Sequence, residues 1–167
     1  MLLLEKWHTV LLLNKYDVGL TDVDYKIRLS NPTPIKSYIP CYSQGVREAM
    51  SKELEKMNEA NFIELSISPF AAPMVCVRKG DGSLRVTIDF CMINKNVIAN
   101  AYLLHRIDDQ IDSMRGSAWF TTLDLTKGYH QMNLDTSSCE YTAFTRLLGF
   151  YQQKVLPMGM KTSGAVF

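Results

Sequence analysis

No stretch of this chain approaches the roughly 20 consecutive apolar residues that a membrane-spanning helix needs. The apolar run at residues 1–4 is interrupted by Glu5, Lys6 and His8 before it reaches the length of a signal peptide core. We therefore expect an intracellular chain that is not inserted in a membrane.

Cysteines are also few, and the net charge is small. The four cysteines are far apart and form no Cys-x-x-Cys, which argues against a zinc site or a disulfide framework. The formal net charge is +1, so no global basic field indicates nucleic acid, and any such binding must come from local patches. What remains is a chain of 167 residues, 47% hydrophobic, which can form one core or two small lobes that share one.

The most informative stretch is residues 119–131, Trp-Phe-Thr-Thr-Leu-Asp-Leu-Thr-Lys-Gly-Tyr-His-Gln. Residues 119–125 are aromatic, β-branched and aliphatic, which predicts a mostly buried strand with Asp124 at its C-terminal end. Two interpretations of that carboxylate stay open. It caps the following turn, or it is a ligand for a hard cation such as magnesium.

Helical spacing of apolar residues predicts three helices, at residues 4–11, 43–61 and 107–114. The second helix is expected to end at Asn61 in the left-handed conformation. Asp108 and Asp109 lie in the first turn of the third helix, where their negative charges interact favourably with the helix dipole. We do not interpret them as a metal-binding pair.

Alternation of apolar and polar residues predicts a strand at residues 25–29 and a hairpin of residues 74–78 and 84–90 around Gly80-Asp81-Gly82. A second strand pair is expected from residues 140–145 and 150–156. Residues 74–95 contain four basic and two acidic side chains, a local excess of +2. On composition alone, this is a solvated hairpin with incidental charge or a binding patch.

Four short sequence motifs follow one another along the chain: Ala-Tyr-x-x-x-Arg-Ile-Asp-Asp at 101–109, Trp-Phe-Thr-Thr-Leu-Asp-Leu at 119–125, Thr-Ala-Phe-Thr at 142–145 and Leu-Pro-Met-Gly-Met at 156–160. Together they resemble the reverse transcriptases of gypsy-type LTR retrotransposons, with Leu-Asp-Leu and the following Gly-Tyr as the first catalytic motif. The resemblance implies an RNA-directed DNA polymerase with an α+β right-hand fold. The chain would contain the fingers and the first part of the palm, built from antiparallel sheets with packing helices.

The same resemblance divides the chain into five parts. They are a polyprotein lead-in at 1–40, fingers at 41–98, palm with the first catalytic motif at 99–131, a fingers return hairpin at 132–155, and the start of a template-side palm helix at 156–167.

The resemblance also implies roles for individual residues. Asp124 and the backbone carbonyl of Leu125 would bind metal, with Asp124 catalytic. Lys79 and Arg85 would bind the triphosphate of the incoming nucleotide, because mobile ammonium and planar guanidinium groups suit phosphate. Tyr129 would lie beneath the sugar and exclude a 2′-hydroxyl, with a core position as the alternative. Met158 and Gly159 would contact the nascent base pair.

The implied cofactor is magnesium, as two ions in the complete enzyme, with manganese as an alternative. The implied partners are an RNA or DNA template with its primer, deoxynucleoside triphosphates, and the rest of the polymerase, including the remaining palm, the thumb and RNase H. The implied location is a cytoplasmic virus-like particle, with a nuclear phase as an alternative. Because the family's Tyr-x-Asp-Asp motif is not in this sequence, the chain alone is expected to be inactive.

The sequence departs from the family pattern in several places. Gly80 and Cys91 stand where basic residues are usual, and Ser163-Gly164 stands where Ala-Pro is usual. Cys91 thereby removes a basic partner expected for Asp89, so the fingers are expected to be less well braced. These departures favour a rival hypothesis, a decayed, non-catalytic remnant that binds nucleic acid or protein. A third alternative is an α+β interaction domain with coincidental motifs.

Overall fold

The computed structural model describes residues 18–38, 40–100, 102, 106–122, 124–146 and 149–167. The predicted helix at residues 4–11 lies outside these ranges, as does part of the first sequence motif, residues 101–109. The strands are β1 (Asp24–Tyr25), β2 (Ile63–Leu65), β3 (Ala72–Arg78), β4 (Leu84–Ile88), β5 (Asn133–Leu134), β6 (Phe144–Arg146) and β7 (Gly149–Gln153). The helices are α1 (Gln44–Glu59), α2 (Cys91–Asn94), α3 (Ile107–Ser113), α4 (Thr136–Cys139) and α5 (Ser163–Val166), with 3-10 helices at Gly128–Gln131 and Glu140–Thr142.

Five strands form one sheet in the order β2-β7-β6-β3-β4. The predicted hairpin is confirmed as β3 and β4, which pair antiparallel from Met74 opposite Ile88 to Arg78 opposite Leu84. The α+β class is confirmed, but the sheet is mixed, because β3 pairs with β6 in parallel. A parallel pair needs a long connection between its strands, and residues 79–143 supply it.

Helix α1 lies against the hairpin strands and buries the side chains that its spacing predicted, Met50, Leu54 and Met57. Ser43 is its N-cap residue, and Asn61 follows the helix with a φ of 58°. The predicted helix and its left-handed ending are therefore both confirmed.

Near the N-terminal end of the described chain, β1 pairs in parallel with β5. Ile27 is buried, and its backbone N–H donates to the hydroxyl of Ser138 at 2.9 Å. Leu29 forms an isolated bridge with Val97. The alternation over residues 25–29 thus predicts which side chains are buried, although the regular strand covers only Asp24–Tyr25.

The predicted buried strand at residues 119–125 is wrong for the residues of this stretch that the structure describes, 119–122 and 124–125. They adopt no strand, and Trp119 and Phe120 are 93% and 67% exposed. Helix α3 forms as predicted, but its apolar residues Ile107 and Ile111 are exposed as well. An apolar segment becomes buried only where another element packs on it, and no described element covers these two segments.

The second predicted strand pair forms as β6 and β7, but Glu140–Thr142 is a 3-10 helix instead of the start of a strand. The hydroxyl of Thr142 explains the difference. It donates to the carbonyl of Cys139 at 2.7 Å and accepts the N–H of Gln153 at 2.9 Å, which holds the turn against β7. All four cysteines are unpaired in the structure. No helix in the described ranges is long and apolar enough to cross a membrane.

Candidate functional site

A cavity of about 410 Å³ lies where α1, the β3–β4 hairpin, the 3-10 helix Gly128–Gln131 and β7 meet. Among the described residues, the charged ones that line it are Lys79, Arg85, Lys127 and Glu53, three basic against one acidic, so this part of the lining has an excess of positive charge. Most of its other lining residues are apolar, among them Met57, Met74, Leu84 and Met158. A cavity with apolar walls and clustered cations suits an anionic ligand that also has an apolar part.

The hairpin tip holds Lys79 next to the cavity. The backbone N–H of Lys79 donates to the carbonyl of Ser83 at 2.8 Å, and the N–H of Gly82 donates to the carbonyl of Lys79 at 3.0 Å. Gly82 has a φ of 80°, which glycine adopts without strain. Asp81 accepts the N–H of Ser83 at 2.9 Å, and its hydrogen bonds to Ser83 lower the pKa of Asp81. The tip is thus a closed turn, and its lysine lies at the edge of the cavity.

Met158 and Gly159 lie on a turn that is fixed by Asn94, a residue that the sequence analysis missed. The Asn94 side-chain amide donates to the carbonyl of Gly159 at 2.8 Å and accepts the N–H of Lys161 at 2.8 Å. Gly159 has a φ of 89°, a conformation that would strain most other residues. In the sequence, Asn94 is the last residue of the motif Asp-Phe-Cys-Met-Ile-Asn. Nothing in that motif indicates that the Asn94 side chain contacts the turn at Gly159.

Tyr129 is half buried and packs on Phe167 with its ring in a T-shaped arrangement, at 5.1 Å between centroids and 70° between planes. The Phe167 ring also lies close to the preceding residue, Gly128. A Cβ added to Gly128 would lie 2.5 Å from Cζ of Phe167. Gly128 and Phe167 therefore fix the position of the Tyr129 ring outside the cavity lining.

Asp124 is exposed, and so is the side chain of Leu125, at 60%. A carboxylate oxygen and a main-chain carbonyl are donor types that magnesium accepts, so these residues fit part of a metal site. Within the residues that the structure describes, no three His, Cys, Asp or Glu side chains cluster as a metal site. Any further ligands would have to come from outside that set.

The structure therefore brings three of the predicted binding residues, Lys79, Arg85 and Met158, to one cavity. It does not place Asp124, Leu125, Tyr129 or Gly159 among the residues that line it.

Asp89 keeps a hydrogen-bond partner although residue 91 is not basic. The carboxylate of Asp89 accepts the backbone N–H of Cys91 at 2.8 Å, at the start of α2. Hydrogen bonds from Cys91, through its side chain and its N–H, lower the pKa of Asp89. The same contact raises the pKa of the Cys91 thiol. A backbone donor does not depend on the type of residue 91, so the substitution leaves Asp89 paired.

His130 lines the cavity and was not predicted to take part in any site. It is only 8% exposed, and its ring stacks on Phe62 at 5.0 Å and 4°. Burial, and to a smaller extent the charge of Lys127, lower the pKa of His130 to about 4, with Glu53 acting in the opposite direction. The ring is therefore neutral at neutral pH.

We expect His130 to make folding stability depend on pH. Its pKa is lower in the folded state than the ordinary 6.5, so the unfolded chain binds more protons as the pH falls through this range. The stabilisation from neutral His130 is fully present above about pH 6.5, which is the pKa of histidine in the unfolded chain. It is lost progressively as the pH falls toward about 4. From about pH 7 to about pH 5, His130 should account for a loss of about 2 kcal/mol in the free energy of unfolding.

Urea unfolding of the wild type and of His130→Phe at both pH values measures this contribution. The phenyl ring keeps the stacking on Phe62 and does not titrate, and the hydrogen-bonded carboxylates contribute equally to both proteins. The variant should lose less stability between the two pH values than the wild type does. Equal losses would show that His130 titrates normally in the folded state.

Comparison with known proteins gives a consistent result. The family described as reverse transcriptase (RNA-dependent DNA polymerase) matches residues 77–167. The chain is 31% identical to the retrovirus-related Pol polyprotein from transposon opus of Drosophila melanogaster, over 88% of this chain and 15% of that polyprotein. It is 34% identical to the enzymatic polyprotein of Cestrum yellow leaf curling virus, over 92% of this chain and 25% of that protein. The chain thus spans a quarter or less of the length of these relatives.

Solved structures show the same fold. The native protease-reverse transcriptase of prototype foamy virus superimposes with a TM-score of 0.87 at 21% identity, covering 99% of this chain and 22% of that one. The foamy viral protease-reverse transcriptase in complex with an RNA/DNA hybrid superimposes with a TM-score of 0.82 at 18% identity, covering 98% of this chain and 22% of that one.

Proposed function

This chain belongs to the reverse transcriptase family, and we propose that it forms the fingers and first palm portion of a gypsy-type polymerase that adds deoxynucleotides to a primer 3′-hydroxyl on an RNA or DNA template. The observation that carries the proposal is the cavity to which Lys79, Arg85 and Met158 all contribute. Two of these residues bring positive charge for the triphosphate, and the third brings an apolar surface for the base pair.

The proposed chemistry requires divalent metal. Asp124 and the carbonyl of Leu125 would supply the first ligands, and the remaining carboxylates would come from the rest of the polymerase. When bound, the metal ions neutralise charge on the triphosphate and favour attack by the primer hydroxyl. Because this segment provides one of the proposed carboxylate ligands, we expect the segment to be inactive by itself.

Nucleic-acid partners are consistent with the structural neighbours, which include foamy viral protease-reverse transcriptase bound to an RNA/DNA hybrid and to double-stranded DNA. For this chain we propose a primer with an RNA or DNA template, together with deoxynucleoside triphosphates and the palm, thumb and RNase H parts of a longer polyprotein.

The main rival function is a decayed remnant that binds nucleic acid or protein without catalysis. Two of the departures that suggested decay leave the local structure intact. Asp89 remains paired at Cys91, and α5 begins at Ser163, whose hydroxyl donates to the carbonyl of Pro157 at 2.7 Å. Primer extension by a longer protein that continues through the remaining palm and thumb, with magnesium and an RNA template, separates the two functions. Tight primer-template binding with no extension would favour the remnant.

Tyr129 should determine the choice of sugar. Replacing Tyr129 with Val in the longer polymerase removes the ring beneath the sugar, so we expect the preference for deoxynucleotides over ribonucleotides to fall about 100-fold. Single-nucleotide incorporation with each substrate gives the ratio of the two kcat/KM values. Tyr129→Phe is the matched control, because it keeps the ring and its contact with Phe167, and it should keep the preference. An unchanged ratio in Tyr129→Val would support a purely structural role for this residue.

A further inference from the structure

Lys127 has an unusual backbone conformation, with φ of 50° and ψ of 40°. Among the described residues, only Asn61 and Lys127 are non-glycine residues with positive φ. Asparagine adopts this conformation readily, whereas it is sterically strained for a longer side chain such as that of lysine. Non-glycine residues that are held in left-handed geometry are often found at functional sites, where the position of the side chain offsets the strain.

The side chain of Lys127 extends to the same cavity as Lys79 and Arg85. Its ammonium nitrogen lies 5.5 Å from the centroid of the Phe62 ring, a cation-π distance. Phe62 is itself only 3% exposed and stacks on His130, so this ring is a fixed support. The lysine is thus oriented by a buried aromatic side chain, unlike a surface lysine that moves freely in solvent.

The hairpin alone provides few cations for a polyphosphate. Its tip contains Gly80 after Lys79, so within the cavity the hairpin contributes only Lys79 and Arg85. Lys127 adds a third positive charge from a segment far away in the sequence, and Glu53 is the one acidic residue among the described residues of the lining. Three cations from two separate segments can contact different phosphates of one ligand.

We propose that Lys127 is a third polyphosphate-binding side chain, which acts with Lys79 and Arg85 on the triphosphate of the incoming nucleotide. This inference rests on the proposed polymerase function and names a residue that the sequence analysis did not. The triphosphate is favoured over the phosphates of a nucleic-acid backbone because Lys127 lines the same cavity as the two hairpin cations, so the three charges converge on one small volume.

Binding of inorganic triphosphate to the 167-residue chain, measured by isothermal titration calorimetry at low salt, tests the proposal. Lys127→Gly removes the charge and should preserve the fold, because glycine adopts a φ of 50° without strain. We expect it to weaken triphosphate binding about tenfold. Lys127→Arg keeps the charge and should bind within about twofold of the wild type.

Lys95→Met is the charge-matched control, since Lys95 is exposed and does not line the cavity. The proposal is overturned if Lys127→Gly binds triphosphate as tightly as this control, or if the wild type does not bind triphosphate. It is also overturned if Lys127→Gly weakens binding of a short single-stranded oligodeoxynucleotide while leaving triphosphate binding unchanged. Because these measurements need no catalysis, they are independent of primer extension. A longer protein that cannot extend a primer would disprove the polymerase function without changing the calorimetric result.

Discussion

Replacing Asp124 with Asn in a longer polymerase that contains this segment is expected to reduce primer extension about 1,000-fold. The substitution removes a negative charge at the proposed metal site and keeps the size of the side chain. Asp124 is exposed, and no hydrogen bond or ion pair joins it to other residues in the described ranges, so folding should be unaffected. The loss should therefore appear in the catalytic rate, measured by single-turnover extension, while primer-template binding is retained.

Asp108→Asn is the matched control for this experiment. Asp108 is also an exposed aspartate, and its ion pair with Arg106 is a surface contact at 3.6 Å. Such contacts contribute little, so extension by this variant should remain close to that of the wild type. If Asp124→Asn extends primers as well as Asp108→Asn does, Asp124 is a turn residue and not a metal ligand.

Replacing Phe144 with Ala is expected to lower the free energy of unfolding of this chain by about 4 kcal/mol. Phe144 has 0% exposure, lies on β6 between β3 and β7, and stacks on Tyr151 with ring centroids 6.1 Å apart. Removing the ring leaves a cavity at the centre of the sheet. Because a domain of this size is stabilised by roughly 5–15 kcal/mol, the loss is a large fraction of the total.

Urea unfolding followed by circular dichroism measures this effect, with Phe120→Ala as the control. Phe120 is 67% exposed, so its truncation should change stability by less than about 0.5 kcal/mol. Phe144→Leu provides a milder variant, expected to cost about 1 kcal/mol, if the alanine variant does not fold. Equal effects of the two alanine substitutions would contradict the placement of Phe144 in the core.

The elements that the sequence predicted well are those specified by local chemistry. Helix α1 follows from the spacing of Met50, Leu54 and Met57, and its end follows from Asn61. The β3–β4 hairpin follows from two alternating segments around a turn that contains Gly82. Each of these signals lies within one helix or one hairpin, so no distant contact is needed to interpret them.

Burial was predicted less well, because it depends on which elements meet. Residues 119–122 have the composition of a core strand and yet are exposed, and Ile107 and Ile111 are exposed on a correctly predicted helix. Composition predicts that a segment can be buried, but it does not identify the segment that covers it.

The sequence by itself determined the family, the order of its motifs and the chemical types of the candidate residues, since these depend on residue identity and spacing. The tertiary structure decided which of them share a site. It placed Lys79, Arg85 and Met158 at one cavity, left Asp124 and Tyr129 outside its lining, and added Lys127. It also showed that the Asn94 amide holds Gly159 from 65 residues away. Contacts between residues so far apart are set by chain topology and packing, which local sequence patterns do not encode.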